Sequence, residues 1–217
     1  MKSVIRHRWA ALALLATLPL AACSGGGGEP STSEGQVEES TTTLKPPTVK
    51  VAKSFEDLAK ALNISVPDGY MLQPDQVGDT GPSDIEKAAR DDGSPDARDV
   101  LTRTRFVRGY QRMWSRAEDD DFVVYLYQFA DNAGATEYTA KLTADATAPS
   151  ATVTVQPFAV PTISGAVGVN TSEAALATSS VTFVKGPYSV QIVANAPKAT
   201  GLQSLATALA EEQYSRL

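Results

Sequence analysis

The stretch that most limits what this chain can fold into is "FVVYLYQF", residues 122–129, where aromatic and β-branched side chains fill odd and even positions alike. Alternate side chains of a strand point to opposite sides, so a strand apolar at nearly every position belongs in the interior of a sheet. The preceding "RFVRGYQRMW", residues 105–114, also runs with period two, and the acidic "RAEDDD" separates the two. That arrangement predicts an antiparallel hairpin.

The other elements build outward from it. "SFEDLAKAL" predicts a helix with Ser54 as N-cap and Phe55, Leu58 and Leu62 on one stripe. In "SDIEKAARDDG", Ser83 and Glu86 read as a capping box and Gly93 as the stop. Ser94-Pro95 opens a short helix that turns Ala97, Val100 and Leu101 inward. Asp131 caps a helix with Ala135, Tyr138 and Leu142 as its buried stripe. "ATVTVQPF" is a strand whose pairing Pro157 limits, "PTISGAVGVN" a glycine-bearing loop, and "SVTFVKGPYSVQIVANA" two strands around Gly186-Pro187. A last helix from Leu202, capped by Thr200 with Gln203, buries Leu205, Ala206, Leu209 and Ala210. This order predicts an α+β domain: a single, mostly antiparallel sheet with helices packed on one face, preceded by a disordered tether.

The first 47 residues have a different character. A basic start with Lys2, Arg6 and Arg8 precedes a twelve-residue apolar run, residues 9–20, too short for an ordinary membrane span of about 20 residues and suited to a signal peptide. The run ends in Leu20-Ala21-Ala22-Cys23, which resembles the lipobox of bacterial lipoproteins. The resemblance implies a diacylglyceryl thioether on Cys23, cleavage before it, acylation of the new amino group and residence on the extracytoplasmic face of the cell membrane. Each buried methylene contributes about 0.8 kcal/mol and one acyl chain binds only reversibly, so two or three chains on Cys23 would hold the protein firmly. "SGGGGEPSTSEGQVEESTTTLKPP" cannot bury enough apolar surface to order itself and reads as a tether. The expected organisation is therefore a signal peptide over 1–22, lipidated Cys23 and linker over 23–47, and a globular domain over 48–217. With "FVRGYQRMW" and the late "VTFVKGPYSVQIV", the globular part resembles uncharacterised surface lipoproteins of actinobacteria, which implies no known activity.

Removing residues 1–22 has two consequences. It takes away His7, the only histidine, and leaves Cys23 as the only cysteine, at the new N-terminus. A Ser/His/Asp triad, a Cys/His pair, internal disulfides and a His- or Cys-ligated metal are then excluded, and no cofactor is expected. It also changes the net charge from −6 to −9, with 16 basic against 25 acidic residues, which disfavours binding to nucleic acid.

Within the domain, alternate positions of the first long strand read Phe106, Arg108, Tyr110, Arg112, Trp114, Arg116. On one sheet face, Arg108, Tyr110, Arg112 and Trp114 would form a ligand-binding surface able to stack on sugars or pair with anions. The competing reading sends the rings to the core edge and the arginines to neighbouring carboxylates. The run Glu118 to Asp121 lacks the alternation of a calcium loop and reads as a solvated hairpin tip, and Asp91-Asp92 reads as a polar helix end. The expectation is a non-catalytic binding or scaffolding domain. Its partners would be the membrane, through Cys23, and an anionic envelope component or envelope protein. The alternatives are a carrier of a lipid or other apolar ligand, and a carboxylate-based hydrolase acting on envelope glycan.

Overall fold

The structure, a computed structural model, describes residues 49–62, 64–75 and 80–217. The expected signal peptide, lipidated Cys23 and linker lie outside the described residues. In chain order the elements are α1 (Phe55–Ala61), β1 (Met71–Leu72), β2 (Gly81–Ser83), α2 (Ile85–Asp92), α3 (Ala97–Arg103), β3 (Phe106–Ala117), β4 (Asp120–Phe129), α4 (Asn132–Thr147), β5 (Thr154–Ala159), β6 (Val167–Glu173), β7 (Leu176–Lys185), β8 (Tyr188–Ala196) and α5 (Leu202–Arg216). The eight strands form one sheet in the order β1-β3-β4-β8-β7-β6-β5, with β2 also paired to β3, and every pairing is antiparallel. The class is α+β, as expected.

β4 lies between β3 and β8, in the interior of the sheet, as its two apolar faces require. Its side chains divide between two cores. Phe122, Val124 and Leu126 join Val190 and Ile192 of β8 and Phe183 of β7 beneath Leu58 of α1, its C-cap Leu62, and Ala206 and Leu209 of α5. Tyr127 and Phe129 meet Ala88 of α2, Leu101 of α3, and Ala135 and Tyr138 of α4 on the opposite face. Helices thus cover both faces, where one covered face was expected. The reason is contained in β4 itself: rings such as Tyr127 and Phe129 on its second face need apolar cover as much as those on the first.

Local chemistry explains most of the boundaries. Ser54 Oγ accepts from Asp57 N–H at 3.1 Å and Asp131 Oδ1 from Gly134 N–H at 2.9 Å, so both expected caps form. The cap of α2 is instead Asp84, whose Oδ1 accepts from Lys87 N–H at 2.8 Å, while Ser83 is fully buried at the end of β2. α5 follows Gly201, at φ +83°, with no side-chain cap, so Thr200 does not have its expected role. Part of the expected glycine loop is strand β6, where a Cβ at Gly168 would come within 2.2 Å of the Phe158 ring across the pair. β5 forms a sheet edge, which accommodates Pro157. Among the described residues no helix is long and apolar enough to cross a membrane.

Candidate functional site

The β3 ladder is broken by a bulge. Phe106 pairs with Phe129 and Arg108 with the adjacent Gln128, so two steps on β3 meet one on β4. Phe106 is thereby turned to the α2–α4 side, edge-on to Tyr127 at 5.4 Å and Phe129 at 5.8 Å between ring centroids. Tyr110 and Trp114 face the α1 side but are only 6% and 4% exposed, Trp114 stacking on Phe122 at 4.9 Å. The expected stacking surface is corrected accordingly, because the core takes both rings and leaves neither face open to a ligand. Tyr110 also donates to Asp75 Oδ2 at 2.8 Å.

The arginines of the ladder divide by partner. Arg108 Nη1 donates to the Lys53 carbonyl at 2.6 Å, with its guanidinium 5.9 Å from the Phe55 ring centroid. Its Nε is buried without a partner, as is Oε1 of Gln128, the residue opposite it in register. Arg116 lies 4.8 Å over the Tyr70 ring and pairs with Asp120 at 2.7 Å. Arg112 rests 5.9 Å from the Tyr110 centroid, is half-buried, and has no ion-pair partner among the described residues. The ladder therefore contributes a single uncommitted guanidinium at the sheet surface.

The acidic hairpin tip is only partly solvated. Asp120 accepts from Tyr70 Oη at 2.7 Å and from Arg116, and buried Asp121 accepts from Asn195 Nδ2 at 2.9 Å. Burial raises the Asp120 pKa, but the hydrogen bonds from Tyr70 and Arg116 outweigh it and hold the carboxyl below its usual value. Burial, aided by Asp120, pushes the Tyr70 hydroxyl up to about 12.

The larger polar cluster lies on the other face, where Asp91 and Asp92 end α2. Their side chains are only 5% and 1% exposed, so this is not a solvated helix end. Lys87 pairs with Asp91 at 3.1 Å, and Lys141 of α4 pairs with Asp92 at 3.0 Å and Asp145 at 2.7 Å. Gln111 of β3 donates to Asp91 at 2.7 Å, and Tyr138 donates to Asp92 at 3.1 Å. The remaining space is a cavity of about 20 Å³ bordered by both aspartates, Tyr127 and Ser189, room for one water. Burial pushes the Tyr127 and Tyr138 hydroxyls well above their usual range. For Lys141 burial pulls down, but hydrogen bonds to Asp145 and Asp92 overcome it and the net shift is upward. The sequence shows Asp91-Asp92 and the i,i+4 pairs Lys87–Asp91 and Lys141–Asp145, but not that long-range packing of α2, β3, α4 and β8 brings them together.

These features define an α+β domain with two helical layers, a buried ion-paired cluster and, on β3, an arginine with no ion-pair partner among the described residues. No family model matches the chain, and no curated protein matches it. Among solved structures, the chain is similar to the extracellular domain of PknH from Mycobacterium tuberculosis, with a TM-score of 0.44 and 10% identity over 76% of this chain and 92% of that one.

Proposed function

We propose that this chain is a lipid-anchored protein of the extracytoplasmic face of the cell membrane, whose 48–217 domain binds or scaffolds an anionic envelope component without catalysing a reaction. The observation that carries the reading is the order of features in the first 47 residues: basic start, apolar run, Leu20-Ala21-Ala22-Cys23, then a polar tether. In the domain, Arg112 supplies the uncommitted cation and Arg108 a neighbouring guanidinium on the same strand.

The carrier and hydrolase readings fit the geometry less well. The face beneath α1 and α5, where an apolar tail would insert, is filled by Phe122, Leu126, Phe183 and Ile192, none more than 1% exposed. Asp91 and Asp92 are held by lysines, and Asp120 and Asp121 by Arg116 and Asn195, so these acids do not face each other across an open cleft.

The test is Cys23→Ser with metabolic fatty-acid labelling and membrane fractionation. The variant is expected to lose the label and leave the membrane fraction, and unchanged labelling would overturn the anchoring. Arg112→Ala is expected to reduce retention on envelope fragments without moving the unfolding midpoint.

A further inference from the structure

A second feature lies away from the arginines, where the N-terminal end of α5 stands beside β5 and β6. These three elements, with the start of β7, border a groove of about 170 Å³. Its floor is set by strand register: Gln156 lies opposite Asn170, and Thr154 opposite Ser172, so these four share one sheet face. Gln203 and Leu202 of α5 form the wall. Asn170 Nδ2 donates to Gln203 Oε1 at 2.9 Å, tying floor to wall. That bond leaves Oδ1 of Asn170 as an acceptor and Nε2 of Gln203 as a donor at the same place.

One further observation bears on what would bind. α5 begins without a side-chain cap; Leu202 N–H is taken by the Ala199 carbonyl at 3.2 Å, which leaves the amides of Gln203 and Ser204 as the donors of the first turn. Among the described residues no acid, lysine or arginine lines the groove, so an ion would enter without a counter-charge. Side-chain amides and hydroxyls can each donate and accept, and that pairing of roles matches a ligand made of hydroxyl groups.

We infer that this groove is a binding site for a neutral saccharide, held between Gln156, Asn170 and Ser172 of the sheet and Gln203 of α5. The site is separate from the Arg112 surface and stands whether or not Cys23 carries lipid. Thr178 borders the groove from the strand next to β6, but its hydroxyl is engaged by Asn195 at 2.8 Å, so its contribution is backbone.

The experiment is a titration of the isotope-labelled full chain in detergent micelles, following backbone amide resonances. The probes are methyl α-glucoside, methyl α-mannoside and N-acetylglucosamine at millimolar concentration, with inorganic phosphate in parallel. Saturable shifts with at least one glycoside, confined to residues 154–156, 170–172 and 202–204, are expected. Asn170→Ala and Gln203→Ala should each weaken that binding about tenfold, the effect of losing one well-placed hydrogen bond. Gln203 is exposed, so its substitution leaves the fold intact and an unchanged unfolding midpoint confirms this. Absence of saturable shifts with all three glycosides, phosphate binding in their place, or full binding by both variants would overturn the site. Loss of fatty-acid labelling in Cys23→Ser bears only on the anchor, so the two proposals fail independently.

Discussion

Lys141 shows how a single side chain of α4 holds that helix to the end of α2. It is 15% exposed and sits between Asp92, 1% exposed, and Asp145, and its ammonium also reaches Ser94 Oγ at 2.5 Å. Lys141→Met would leave the Asp92 charge buried without a cation, a situation that costs about 3 kcal/mol. A urea midpoint lowered by that amount at constant m-value is expected; a change below about 1 kcal/mol would class the pair with exposed ones. The titration behaviour follows the same geometry. Tyr127, Tyr138 and Lys141 all have folded-state pKa values raised above their usual ones. Their contribution is therefore complete below about pH 10 and is lost as pH rises through the folded values. Stability measured from neutral to strongly alkaline pH should fall only beyond the ordinary tyrosine range, and Tyr138→Phe should make that fall shallower. An equal slope in the variant would remove Tyr138 from the account.

At the scale of elements, α2 and α4 make two contrasting cases. Asp84→Ala should cost about 1 kcal/mol through loss of the cap bond to Lys87 N–H. For α4, a Cβ at Gly134 would stand 2.1 Å from the Thr104 carbonyl oxygen, so Gly134→Ala forces backbone apart. The cost, about 2 kcal/mol or more, outweighs the roughly 1 kcal/mol that alanine gains over glycine in a helix; a variant as stable as the parent in thermal unfolding would contradict the close approach. How far the elements were legible depends on how local their causes are. The β3–β4 hairpin and the caps at Ser54 and Asp131 follow from neighbouring residues and are readable. β1 and β2, of two and three residues, carry no period to read and exist because β3 offers an edge. Ser83 and Asp84 are adjacent cap formers, and the choice between them was made by β2 drawing Ser83 into the sheet. Phe106, Tyr110 and Trp114 look like one stripe in the sequence, and only the register with β4 reveals the bulge that separates the first from the others.

Taken whole, the domain ties many of its charged groups into its own structure, and among the described residues the Arg112 surface and the groove beside α5 are the two places proposed for partners. The second helical layer explains why the sheet is not an open platform, since α1 and α5 cover one face and α2, α3 and α4 the other. The segment entering the domain is fixed to the sheet by Tyr188, whose hydroxyl accepts from Ala52 N–H at 2.6 Å and donates to the Lys50 carbonyl at 2.9 Å. Tyr188→Phe should therefore free that segment, seen as faster proteolysis at Lys50 and Lys53; cleavage at the parental rate would show that other contacts hold it. The function proposed for the molecule depends on Cys23. Intact-mass analysis of the N-terminal peptide from protein expressed in a bacterial host tests it most directly. The account predicts a chain beginning at Cys23, heavier than the bare peptide by a diacylglyceryl group; a free thiol at Cys23, or residues 1–22 still attached, would contradict it.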